Sequence, residues 1–329
     1  MRSDNFRFFL ALCLLAVCAG MVRAESKVPE EATSAFAAGE YGRAIEILSR
    51  AAVSAPRDAA IEYLLARCYY EDEQFDRAIP YAEKALSLDP KNSSYHELLG
   101  RLFGEKADRS GWFSALSLAK KSRKEFEVAM QIDERNFSAM QSLIEFDCSA
   151  PGIAGGGEDK ARPEIERLSA MDAAQGHYAA GNCRRQKKDN ETADREFRKA
   201  LALHPKSADL IYDIGDHYMK HNQPEGLRLV LEEGERAAPA DLRGKFYRAA
   251  VFAMEKKDQG DATNLLREYL AKAPKRNNYP NRAIVHYWLG RIQENQNDAA
   301  AARQEYKEAL NLEPKNRFAN EALKRLQHD

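Results

Sequence analysis

Apolar and small residues recur at helical spacing along most of the chain. Leu65, Ala66 and Tyr69 fall on one helical face, and Ala78, Ala82 and Ala85 fall on a second one downstream. The same two-part pattern returns as Ile214, Gly215 and Tyr218 followed by Leu227, Leu231 and Gly234. It returns again as Leu289 and Gly290 followed by Ala302, Tyr306 and Ala309. Apolar positions three or four apart mark one face of an amphipathic helix, so each block predicts two helices in succession. Three of the blocks close on nearly the same phrase: KALSLDPKN at 84–92, KALALHPKS at 199–207 and EALNLEPKN at 308–316. The proline in that phrase ends a helix, because it lacks an N–H and disfavours helix at the residue before it.

The prolines also set a period. Pro56 to Pro90 is 34 residues, Pro205 to Pro239 is 34, and Pro239 to Pro274 is 35. Weaker copies fill the gaps: Ala44, Leu48 and Ala51; Leu99, Gly100 and Phe103 with Phe126 and Ala129; Leu143 with Ala161 and Leu168; Gly181 with Ala193, Phe197 and Ala200; and Ala262 with Leu266. A last segment places Phe318, Ala322, Leu323 and Leu326 on one face. Period, small residues, aromatic and closing proline together resemble the tetratricopeptide repeat family. A single such unit cannot bury its own apolar face, so units must stack. The resemblance implies an all-α fold, a right-handed α-solenoid of about eight helix pairs over residues 25–316, closed by a capping helix at 317–329.

The resemblance also implies a concave groove lined by the first helix of each pair. Aligned on the family pattern, the groove residues are Tyr63, Arg67, Tyr70, Arg101, Tyr178, Asn182, Arg185, Tyr212, Asp216, Tyr287 and Arg291. Tyr and Arg recur there, and these two types dominate binding hot spots; packing tyrosines are the plainer alternative. The chaperone-binding variety of the family grips a carboxylate with lysines and asparagines. Here Tyr63 and Tyr178 stand at the clamp-lysine position, which argues against such a clamp.

Two insertions break the period, near 104–118 and near 149–158. The first brings Trp112 and Phe113, expected to tuck over a neighbouring helix unless they meet a partner. The second brings Gly155, Gly156 and Gly157 before a helix start. It lacks the lysine of a phosphate loop, and Glu158 and Asp159 stand where a phosphate would bind, so a tight turn re-aiming the next helix is expected. Asp213, His217 and His221 share a helical face at spacing able to hold zinc, but the expectation is ordinary surface histidines and no metal. No nucleophile signature such as G-x-S-x-G occurs, so an enzyme is not expected.

Charge excludes one class of partner. Fifty Lys and Arg against 51 Asp and Glu give no basic field for nucleic acid. The N-terminus has Arg2 and Arg7, an apolar run to about Gly20, and Val22-Arg23-Ala24. That reads as a secretory leader, residues 1–24, cut after Ala24. The run is short for a membrane span. Cys18 is a weaker candidate for lipidation, since Val17 stands where a small residue is expected. Cys68, Cys148 and Cys183 remain after cleavage. A Cys148–Cys183 bridge is possible, but buried free thiols are expected. The expected function is an exported, non-enzymatic adaptor without cofactor, binding a protein or peptide segment in its groove. The alternatives are a periplasmic envelope-assembly scaffold working through the insertions or the convex face, and a metal- or small-ligand-binding repeat protein.

Overall fold

The computed structural model describes residues 28–328. The predicted leader, with Cys18, lies outside the described residues. Among those residues there are seventeen α-helices, one 3₁₀ turn and no strand. The helices come in consecutive hairpins: α1 (Glu30–Ala37) with α2 (Tyr41–Ser54), α3 (Ala59–Glu71) with α4 (Phe75–Leu88), α5 (Ser93–Asp108) with α6 (Trp112–Ile132), and α7 (Phe137–Ser149) with α8 (Glu158–Met171). Then follow α9 (Ala173–Gln186) with α10 (Asn190–Ala202), α11 (Ala208–Lys220) with α12 (Pro224–Ala237), α13 (Arg243–Glu255) with α14 (Gln259–Lys272), and α15 (Arg282–Asn295) with α16 (Ala299–Leu312). The last helix, α17 (Arg317–His328), stands alone. The molecule is an all-α solenoid of eight hairpins with one terminal helix. No helix of the described residues is long and apolar enough to cross a membrane.

The recurring phrase does two jobs. Its proline ends the second helix of a hairpin, and its last residue caps the first helix of the next. The Asn92 side chain accepts from the Ser94 N–H (3.1 Å), Ser207 from Leu210 (3.3 Å), and Asn316 from Ala319 (3.0 Å). Asp58, Asn136, Asp172 and Asn281 cap their helices in the same way. A polar side chain there satisfies an N–H that the helix leaves unpaired.

Within hairpins, a small residue on the first helix receives an aromatic from the second. A Cβ on Gly100 would lie 2.6 Å from the Phe126 ring, and one on Gly181 would lie 2.5 Å from Phe197. Gly290 faces Tyr306 in the same way. Only glycine permits that approach. The core is segmented into four clusters along the array, the largest running from α10 to α17. In α17, Ala322 and Leu326 are buried and Phe318 and Leu323 are partly buried, so the helix covers the open apolar face of the last hairpin.

The first insertion forms no loop. It lengthens α5 and α6 to 16 and 21 residues. Trp112 and Phe113, at the start of α6, do not tuck: they are 64% and 88% exposed. Gly111, in extended conformation, precedes them at the cap of α6. The second insertion folds as a 3₁₀ turn, Gly152–Ala154, then Gly155 at φ +102°. A side chain on Gly156 would strike the Ala150 carbonyl. The Gly157 N–H donates to the Asp147 carbonyl (2.8 Å), which redirects α8. Glu158 is then held by Arg184 (2.5 Å) and Lys187.

The cysteine expectation is corrected. Cys148 and Cys183 form a disulfide that ties α7 to α9, and Cys68 is free and buried. Their sequence separation of 35 residues equals about one repeat, so stacked first helices bring the two sulfurs together.

The array also meets itself. The segment 273–281 between α14 and α15 crosses to the first hairpins. Asn277 Nδ2 donates to the Glu71 carbonyl (3.1 Å), 206 residues away, and a side chain on Gly39 would strike the Lys275 backbone. Arg243 fastens this segment from within. Its guanidinium donates to Asp209 (2.8 Å), to Asp241 (2.7 Å) and to the Asn278 carbonyl (3.1 Å), and lies 4.7 Å from the ring centroids of both Tyr212 and Tyr279.

Candidate functional site

The inner face is built by the first helix of each hairpin. Counting nine residues from the caps Asp58, Asn92, Asn136 and Ser207 gives Arg67, Arg101, Glu145 and Asp216. The same count from Asp172 and Asn281 gives Gly181 and Gly290, so these four helices share one phase and α9 and α15 are offset by one residue. The inner stripe therefore begins basic and turns acidic in its middle.

The expected groove residues fall into three groups. In the first, Arg67 lies 4.5 Å over Phe36 and 5.9 Å over Tyr63, whose ring is 4.7 Å from Tyr95. Arg101 Nη2 donates to the Tyr70 hydroxyl (2.8 Å) while the guanidinium sits 4.6 Å over that ring. In the second, Asp213 accepts from the Tyr178 hydroxyl (3.0 Å) and from Arg185 Nη2 (3.0 Å). Asp216 accepts from the Tyr247 hydroxyl (2.6 Å). The third is local: Arg291 donates to the Tyr287 hydroxyl (3.0 Å).

Not all of the expected anchors reach solvent. Tyr212 is 3% exposed, stacked 5.4 Å from Tyr247 and wedged against Gly234. It is a packing residue, because the segment 273–281 and Arg243 cover it. Tyr70 and Tyr287 are also buried and present only an edge. Tyr63, Arg67, Tyr178, Asn182 and Arg185 are half-buried.

Electrostatics follow from lost hydration. Asp216 keeps exposed surface, but the chain around it strips enough hydration to push its carboxyl up to about 6. Glu145 is raised as well, chiefly by the same loss of hydration and secondarily by Asp213. Its carboxylate accepts from Gln186 Nε2 (3.2 Å). Glu145 was missed in the sequence, where its neighbours Ile144 and Phe146 hide it; the cap-based count above would have found it.

Asp213, His217 and His221 do not form one ligand set. Asp213 is committed to Tyr178 and Arg185. His217 is 2% exposed rather than a surface residue, and its ring packs 4.9 Å from Phe197 with neither nitrogen hydrogen-bonded. Burial pushes its imidazole down to about 4. His221 Nδ1 meets the His217 carbonyl (2.7 Å). No group of three or more His, Cys, Asp or Glu able to hold a metal occurs among the described residues.

Tetratricopeptide repeat models match residues 35–102 and 283–316, at both ends of the array. Both matched segments carry tetratricopeptide repeats. No curated protein matches it in sequence. Among solved structures, this repeat protein is similar to a monomeric mutant of IFIT1 with m7Gppp-AAAA, at 18% identity and a TM-score of 0.52, covering 90% of this chain and 70% of that one. It is also similar to a tetratricopeptide repeat protein from Parabacteroides merdae, at 13% identity and a TM-score of 0.43, over 91% of this chain and 97% of that one. A thermophilic repeat protein of Thermus thermophilus matches at 16% identity and a TM-score of 0.48, over 57% of this chain and 95% of that one. At 18% identity the likeness to the IFIT1 structure speaks to fold alone.

Proposed function

We propose that this tetratricopeptide repeat protein is an exported, non-enzymatic adaptor that binds a protein or peptide segment in its concave groove. One observation carries the reading. Tyr63, Arg67, Arg101, Tyr178 and Arg185, on the first helices α3, α5 and α9, are each already fixed by stacking or a hydrogen bond. Fixed aromatic and guanidinium groups lose little entropy when a ligand docks. The Cys148–Cys183 disulfide supports export, since such bonds persist in oxidising compartments.

The test is capture of partners from an envelope extract by the wild-type chain and by Y63A/R67A/Y178A/R185A. The reading expects a partner held by the first and lost by the second, with both chains equally helical. Equal capture by both would refute it. The exposure of Trp112 and Phe113 favours a second reading, a scaffold that works through the first insertion; W112A/F113A would then lose the partner while the four-residue variant kept it.

A further inference from the structure

A cleft of about 560 Å³ opens off the groove where the two insertions meet. Its apolar wall is formed by Trp112 and Leu116 of α6, Phe146 of α7 and Ile153 of the 3₁₀ turn. Trp112 and Ile153 are 64% and 60% exposed, and they are two of the few large apolar side chains left in water. Sites of this volume take one or two bulky side chains. Three of the charged side chains lining the cleft are acidic, Glu105, Asp108 and Glu145, against one cation, Arg101.

The cations nearby are already engaged. Lys106 pairs with Asp76 (2.6 Å), Arg109 with Glu73 (3.1 Å), and Arg101 with the Tyr70 hydroxyl and Glu97. No ion pair among the described residues engages Glu105, Asp108 or Glu145. Lost hydration chiefly, and Asp213 secondarily, raise the Glu145 carboxyl, while Arg185, Arg101 and the Gln186 amide act against them. A positive ligand group placed there adds a partner for Glu145, and a bulky apolar neighbour covers the exposed indole.

We propose that this cleft docks a partner segment carrying a bulky apolar side chain flanked by Lys or Arg, the apolar group against Trp112 and Ile153 and the cation against Glu105 and Glu145. The proposal rests on the groove reading and names the chemistry of the partner. Charge complementarity selects the basic segment over an acidic one, and the contribution weakens as salt shortens the screening length to about 8 Å.

The probe is a phage-displayed library of random peptides selected on the immobilised intact chain. Selection should enrich peptides with an aromatic or aliphatic residue close to Lys or Arg. A synthetic copy of an enriched peptide should lose affinity at least about ten-fold on E105Q/E145Q and on W112A/I153A, and also in high salt, with wild-type melting retained in at least one variant. Enrichment of acidic peptides, no enrichment, or unchanged affinity in a folded variant would overturn the proposal. Self-association abolished by W112A would assign the cleft to a second copy and also overturn it. If Y63A/R67A/Y178A/R185A loses the captured partner while E105Q/E145Q keeps it, the groove reading stands and this proposal alone falls.

Discussion

Two neighbours on α11 respond to pH in opposite directions. Asp216 is raised to about 6, so the folded state holds its proton more tightly than the unfolded state does. Its ionisation therefore costs stability as pH rises from about 4 to about 6. His217 is lowered to about 4 from an ordinary 6.5, so its contribution is present above 6.5 and is lost as pH falls toward 4. The two effects oppose each other across one window. Asp216→Asn should remove the first and leave a variant whose stability falls more steeply below pH 6.5 than that of the wild type. His217→Leu should remove the second and also remove two buried nitrogens without partners, a gain of about 1 kcal/mol near neutrality. Melting curves from pH 4 to 8 check both; identical pH profiles in wild type and variants would show that neither group is perturbed. Neither shift was legible in the sequence. The i, i+4 spacing of His217 and His221 places them on one face, but whether that face meets water depends on Phe197, one hairpin away.

At the scale of the element, capping and the disulfide carry the testable content. Asn92→Ala removes an acceptor from the start of α5 and should cost about 1 kcal/mol, read as a shift of the denaturation midpoint. Cys148→Ser with Cys183→Ser should cost about 2–4 kcal/mol, because the bond closes a 35-residue segment of the unfolded chain. An unchanged midpoint in the double variant would show that stacking of α7 on α9 alone sets stability there. Hairpin boundaries were the most legible feature of this chain. Pro90, Pro205 and Pro314 mark them, and the polar residue two positions on marks the next start. The fate of the first insertion was not legible, since helix propensity continues through 104–121 and nothing local says that Trp112 and Phe113 point outward.

Across the whole molecule, the segment 273–281 links the seventh hairpin to the first and second. Arg243 is 3% exposed and holds that segment through the Asn278 carbonyl and the Tyr279 face, with its guanidinium fixed by Asp209, Asp241 and the Tyr212 ring. Arg243→Ala leaves Asp241 buried without its cation and should cost about 3–5 kcal/mol. It should also speed amide exchange in 273–281 and at the contacts near Gly39 and Glu71. Unchanged exchange there would mean that the crossing contact is held by other groups. This clasp was invisible to sequence reading: Asn277 and Glu71 are 206 residues apart, and only the curvature of the stacked array brings them together. The same curvature buries Tyr212, which the family pattern placed in the groove.

The central claim is that the inner face binds a partner. Hydrogen exchange with and without the captured partner tests it most directly, because it reads each helix separately. Binding in the groove should slow exchange in α3, α5, α7 and α9 and in the segment 273–281, while α4, α10 and α16 stay unchanged. Slowing confined to α4, α10 and α16, with the first helices unchanged, would contradict the account and place the partner on the convex face.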